Sequence, residues 1–252
     1  MNKLKNPRAS GIDKPTEIWS LFPSRMIESL RNLESIKLWR CDSLEVIFQL
    51  DEPNAEESHV ASVLDQLREL DLSYLPKLKH IWMKGPERIT GFENLRFLAV
   101  WACNSLTYLL SPSIAKLLVM LEDIKVSNCE KIEEILERAR EEEEEKEISF
   151  YKVKSILLKD LPKLKCFCNE VNAFEWPLLE EITVIRCPAL STFVPSDVNT
   201  PKLEGVYDQI EWDQRPMFPW KGDLNATIKH MFKGKVWLIL TTSKNLQIFQ
   251  FY

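Results

Sequence analysis

The feature that most restricts what this chain can fold into is a set of six apolar positions that recurs six times at constant internal spacing. Leu33, Ile36, Leu38, Cys41, Leu44 and Ile47 form the first set, and Leu67, Leu70, Leu72, Leu75, Leu78 and Ile81 the second. The third is Leu95, Leu98, Val100, Cys103, Leu106 and Leu109, and the fourth Leu121, Ile124, Val126, Cys129, Ile132 and Ile135. The fifth is Val153, Ile156, Leu158, Leu161, Leu164 and Phe167, and the sixth Leu179, Ile182, Val184, Cys187, Leu190 and Phe193. A seventh opens at Leu203 and Val206 and then loses the pattern. The second and third members of each set are two residues apart, so they share one side of a strand, and the residues around them face the other side. A single such coil cannot bury its own apolar side. Successive coils must stack, which lays their strands parallel at about 4.8 Å spacing around a continuous core.

The pattern is that of leucine-rich repeats. The expected fold is therefore an α/β leucine-rich-repeat solenoid, right-handed, with a parallel concave sheet and an irregular or short-helical convex side. First positions are 34, 28, 26, 32, 26 and 24 residues apart, so the returning segments differ in length. The expected organisation is a partial coil or linker over 1–29, six full coils and a partial seventh over 30–213, a helical end over 214–232, and an appended tail over 233–252. Neither end shows a clear capping repeat, which predicts an open apolar edge and a chain built to continue toward its N-terminus. Near-helical spacing in Pro23–Leu33 and Ile114–Ile124 predicts convex helical turns before a strand. The last residues, KVWLILTTSKNLQIFQFY, are strand-prone and apolar, an aggregation liability.

Cys41, Cys103, Cys129 and Cys187 occupy one equivalent repeat position, just past the strand. Cys103 and Cys129 lie in adjacent coils, within reach of a disulfide. Leu75 and Leu161 fill that position elsewhere, and neither a metal nor a redox site would accept leucine. A small buried thiol turning the chain is the favoured reading. Cys166 and Cys168 sit elsewhere on the coil and are weaker as a metal half-site or a nucleophile.

Composition narrows the function classes. The net charge of −5 leaves no basic footprint for nucleic acid, and the scarcity of glycine, 6 in all, weakens any reading that needs phosphate-cradling loops. No window approaches a membrane span, and no signal peptide opens the chain, so reduced thiols in the cytosol or nucleus are expected. The sequon Asn225-Ala226-Thr227 is then expected to stay unmodified. Asp51–Ser62 and Arg138–Glu147 read as exposed polar insertions, the second holding the carboxylate run Glu141 to Glu145, which lacks calcium-loop spacing. His59, His80 and His230 fall at unrelated repeat positions and read as surface residues. Nothing matches H-E-x-x-H or G-x-S-x-G, and carboxylates on solenoid faces do not converge as acid–base pairs must. No catalytic residue, cofactor or metal is expected.

A protein partner is the better fit. Solenoid curvature makes the strand face concave and the usual binding surface. Its outward positions include Lys37, Trp39, Arg40, Asp71, Tyr74, Phe97, Trp101, Lys125, Lys159 and Arg186, and these are the candidate protein-binding residues. Trp39 and Trp101 hold the same position two coils apart, and exposed aromatics and arginine most often dominate binding energy.

Two coil types recur: LESIKLWRCDSLEVIF, LRFLAVWACNSLTYLL and LEEITVIRCPALSTFV, against LRELDLSYLPKLKHIW and VKSILLKDLPKLKCFC. Their C-x-x-L and L-x-L-x-x-L-P-K-L-K signatures resemble the C-terminal repeat region of plant coiled-coil, nucleotide-binding, leucine-rich-repeat disease-resistance proteins. WKGDLNATIKHMF (Trp220 to Phe232) is similar to the helical end that follows those repeats. The resemblance implies a non-catalytic recognition module in plant innate immunity, in the cytoplasm, free, membrane-peripheral or nuclear. The implied partners are a pathogen effector, a guarded host protein or other domains of a longer receptor. Such receptors carry a nucleotide-binding domain, and this chain has no G-x-x-x-x-G-K-[ST]. The alternative from another class is a leucine-rich substrate adaptor of a ubiquitin ligase or another stand-alone binding scaffold.

Overall fold

The structure is a computed structural model that describes residues 20–23, 32–49, 62–83, 90–138, 148–169, 174–195, 198–208, 217–218, 222–232, 236–241 and 246–251. Each apolar-x-apolar core forms a strand: β1 (Ser35–Trp39), β2 (Glu69–Ser73), β3 (Phe97–Trp101), β4 (Asp123–Ser127), β5 (Ser155–Lys159), β6 (Glu181–Ile185) and β7 (Gly205–Tyr207). They pair in parallel in chain order without a slip, so Ile36, Leu70, Leu98, Ile124, Ile156, Ile182 and Val206 fall in one row. All seven are buried, as are Leu72, Val100, Val126, Leu158 and Val184 of the next inward row. A one-residue slip would turn these rows to solvent, which is what pins the register.

Where each of β1 to β6 ends, the backbone turns left-handed. Arg40, Tyr74, Ala102, Asn128, Asp160 and Arg186 have φ between 50° and 56°. For residues other than Asn and Asp this costs about 1–2 kcal/mol each. The turn aims the first five of these amides at the next strand: Arg40 N–H donates to Ser73 O, Tyr74 to Trp101 O, Ala102 to Ser127 O, Asn128 to Lys159 O and Asp160 to Ile185 O. It also drives the following side chain inward, the recurring cysteine in four coils and Leu75 or Leu161 in the other two. Cys103, Cys129 and Cys187 are buried, and each thiol donates to the carbonyl two residues back, at 3.6, 3.3 and 3.5 Å. All six cysteines are free.

The convex side is short and irregular. Ser20–Pro23, Val46–Gln49 and His80–Met83 form one small parallel sheet, and Ile148–Ser149, Phe174–Glu175 and Val198–Asn199 another. Behind them aromatic rings fill the core: Phe48, Trp82 and Phe92 at one end, Phe150, Phe167, Trp176 and Phe193 at the other. The helical turn expected over Ile114–Ile124 lies earlier and is shorter, as α1 (Pro112–Leu117). Ser111 caps its N-terminus through the Ile114 amide and proline fits its first turn. Pairing with β3 and β5 claims Asp123 and Ile124 for β4. Most of the helical turn expected over Pro23–Leu33 lies outside the described residues, as do most of the polar insertion Asp51–Ser62 and the Glu141–Glu145 run.

The C-terminal edge is not open, contrary to expectation. Strand β8 (Met217–Phe218) pairs antiparallel with β7 at the margin of the concave sheet. Helix α2 (Leu224–Phe232) buries Leu224, Ile228 and Met231 in the solenoid core. Its Asn225 carboxamide substitutes for the peptide groups of a further coil. Asn225 Oδ1 accepts from the Phe193 and Val194 amides at 2.8 and 3.2 Å, and Nδ2 donates to Val194 O at 2.6 Å. In the preceding coils Ile135 O accepts from the Leu109 and Leu110 amides, and Phe167 O from those of Ile135 and Leu136. Beyond α2 the apolar tail forms an antiparallel hairpin, Val236–Thr241 with Leu246–Phe251.

Candidate protein-binding face

Outward positions of β1 to β7 form a grid, one coil per column. Along its strand-end rows three aromatic side chains stand clear of the surface: Trp39 (60% exposed), Tyr74 (37%) and Trp101 (43%). They form one shelf. Trp39 meets Tyr74 edge-on with ring centroids 6.5 Å apart, and Tyr74 lies 4.8 Å from Trp101. The Arg40 guanidinium stacks over Trp39 at 4.3 Å and reaches Tyr74 at 5.8 Å. Tyr74 stands in the left-handed turn just past Ser73, which is the residue in register with both Trp39 and Trp101.

The other candidate residues are spread along the grid. Lys37 forms an ion pair with Glu69 at 2.6 Å, and that hydrogen bond holds the Lys37 ammonium above its ordinary pKa. Ser35 donates to the same Glu69 carboxylate. Asp71 accepts from Ser73 Oγ at 3.1 Å. The Lys125 ammonium lies 4.9 Å over the Phe97 ring. Lys159 is half-buried at the end of β5. Arg186 is turned sideways along the face, not outward: its Nη2 donates to Asp160 Oδ2 at 2.6 Å and its Nε to Oδ1. Two outward positions named by the alternation, Thr183 and Ile185, are only 4% and 9% exposed. Thr183 is flanked in register by the bulky Leu157 and Tyr207.

Two further positions that the alternation places outward, outside the candidate set, complete the arrangement. Asn128 and Asp160 lie between Trp101 and Arg186 in the left-handed row. Donors meet acceptors only when the Asn128 carboxamide turns its oxygen to Trp101 Nε1 (2.7 Å) and its nitrogen to Asp160 Oδ2 (2.9 Å). A signal was available in the sequence, since Asn and Asp are the residues that best tolerate left-handed backbone.

The alternatives to binding gain nothing from the geometry. Burial pushes the Cys103, Cys166 and Cys187 thiols up to about 12, and Cys129 higher still, so each is a protonated thiol near neutral pH. A thiol so protonated is a weak nucleophile, Cys166 included. No group of three His, Cys, Asp or Glu among the described residues is arranged to hold a metal ion. His80 is not an ordinary surface residue: it is half-buried, with Nδ1 3.1 Å from the Tyr108 hydroxyl. His230 lies exposed on α2, and His59 lies outside the described residues. No described helix is long and apolar enough to cross a membrane.

Comparison with known proteins converges with the repeat geometry. The sequence profile described as "Plant disease resistance protein RPS2-like, leucine-rich repeats" matches residues 11–130 and 117–204. The chain belongs to this family. These RPS2-like repeats are 32% identical over 176 residues to At4g19050 of Arabidopsis thaliana, which carries a provisional disease resistance name. They are 26% identical over 167 residues to Disease resistance protein At4g27190 of the same plant. The alignments cover 69% and 64% of this chain but only 13% and 15% of those proteins. No solved structure matches. The chain is thus a disease-resistance-type leucine-rich-repeat module.

Proposed function

We propose that this repeat module recognises a protein through its concave face, in the context of plant innate immunity. The observation that carries the reading is the aromatic shelf of Trp39, Tyr74 and Trp101 with Arg40 stacked on it. Three large rings held in water by consecutive coils cost solvation that a partner would recover, and Trp, Tyr and Arg are the side chains that dominate interface energies. The partner is a pathogen-derived protein, a guarded host protein or another domain of a longer receptor. Where two of these compete, the better contact shifts the population between resting and engaged states. The same shelf would serve a free-standing adaptor, so the family relation, not the geometry, favours the immune setting.

The test is a pair of photo-crosslinkers in plant tissue, one replacing Ser127 on the concave face and one replacing Lys116 on α1. Adducts at 127 and not at 116, abolished by Trp39→Ala with Trp101→Ala, are expected. With a purified partner the double variant should lose more than ~1 kcal/mol of binding energy while its circular dichroism is unchanged. Equal adducts at both faces, or unchanged affinity, would remove the concave site.

A further inference from the structure

The left-handed row does more than turn the chain. Its side chains leave the sheet at the strand ends, one per coil, about 4.8 Å apart. At that spacing polar side chains of the row in neighbouring coils can bond directly, and in coils four to six they do, with the indole of Trp101, one residue before the row, joining from coil three. With the Asn128 carboxamide in the one orientation that matches donors to acceptors, Trp101 Nε1 donates to Asn128 and Asn128 donates to Asp160, while Asp160 accepts two bonds from Arg186. Every link joins adjacent coils, so the line runs along the solenoid axis. The Arg186–Asp160 pair at its far end is planar and two-pronged, the geometry that best fixes a carboxylate. A fixed carboxylate leaves Asn128 one productive orientation, and an oriented Asn128 oxygen fixes the indole.

We propose that Asn128, Asp160 and Arg186 are positioning residues for the aromatic shelf, holding the Trp101 indole in one rotamer and using its only polar group. This rests on the reading that the shelf is the binding surface, and it adds a specificity rule. With its N–H committed to Asn128, Trp101 offers a partner only hydrocarbon. The partner side chain over Trp101 is therefore apolar or aromatic, and a hydrogen-bond acceptor on the partner is met instead by Arg40, whose guanidinium stacks at the other end of the shelf. Arg186, which spacing alone would make a contact residue, acts on the shelf from about 14 Å away, three coils along.

The test needs no partner, so its failure is distinct from failure of the binding reading. In the full chain labelled with nitrogen-15, the Trp101 indole resonance is assigned among the 8 tryptophans by its loss in Trp101→Phe. Its proton should exchange with solvent slowly in the wild type. Asn128→Ala should speed that exchange roughly tenfold and shift the resonance, because the acceptor is gone. Arg186→Gln should produce a smaller shift of the same sign, at a site no purely local role of Arg186 would reach. Lys165→Ala, which breaks the Lys165–Glu133 pair at another repeat position, should leave the resonance in place. Thermal unfolding of each variant shows whether it folds, and Asp160→Asn replaces Asn128→Ala if the latter does not. An indole signal unmoved by either Asn128→Ala or Arg186→Gln overturns the proposal.

Discussion

Six non-glycine residues in left-handed backbone at one repeat position are a cost that the fold repeats, and the first five, Arg40 to Asp160, offset it through an amide bond to the next coil. The side chain at that position must therefore tolerate φ near 55° and still suit its neighbours. Ala102 tests this most cleanly, since its methyl makes no polar bond of its own. Ala102→Val should destabilise the chain by about 1–2 kcal/mol, because a β-branched residue is a steric outlier there, whereas Ala102→Asn should be neutral or stabilising. Urea unfolding midpoints of the two variants should move apart. Midpoints that fall together would mean the turn relaxes and the row is less constrained than its angles imply. Spacing alone favoured a buried, chain-turning role for the cysteine that follows, since leucine fills the equivalent position elsewhere, and in the structure Cys103, Cys129 and Cys187 are buried with each thiol beside a carbonyl.

Among elements, α2 is the one whose role spacing misjudged. Its apolar residues appear in the sequence as a short helical end, yet nothing in a local pattern says that Asn225 will stand where a peptide group of another coil would be. The carboxamide has the donor and acceptor of a peptide unit, and so closes a ladder that would otherwise end in unpaired amides. Asn225→Ala leaves the Phe193 and Val194 amides without that acceptor and should cost about 1–3 kcal/mol, read as a lower thermal midpoint. Asn225→Asp keeps the acceptor and should cost less. Equal stability of Asn225→Ala and wild type would show that the cap works through Leu224, Ile228 and Met231 alone. The same engagement makes the Asn225 sequon a poor acceptor for glycosylation in the folded chain.

At the scale of the whole molecule, the solenoid is a stack in which each coil contacts only its neighbours, so a free end exposes a full cross-section of apolar core. Ending the chain after Asp208 would remove β8 and α2 together, uncovering the β7 edge and the last core layer. Such a truncation should associate or precipitate at concentrations where the full chain is monodisperse, because an unpaired parallel edge templates further pairing. Light scattering would show it. A monodisperse truncation would mean that coil seven is self-sufficient and that the cap serves another purpose.

The repeat positions alone determined the coil number, the parallel register and which rows are buried, because apolar side chains at period two have one way to share a core. They also marked Trp39, Tyr74 and Trp101 as outward. What only the tertiary structure decided were relations between coils at constant separation in space but variable separation in sequence. Trp101, Asn128, Asp160 and Arg186 are 27, 32 and 26 residues apart, intervals set by returning segments whose lengths carry no pairing information. Stacking brings them to one spacing, where short polar side chains bond.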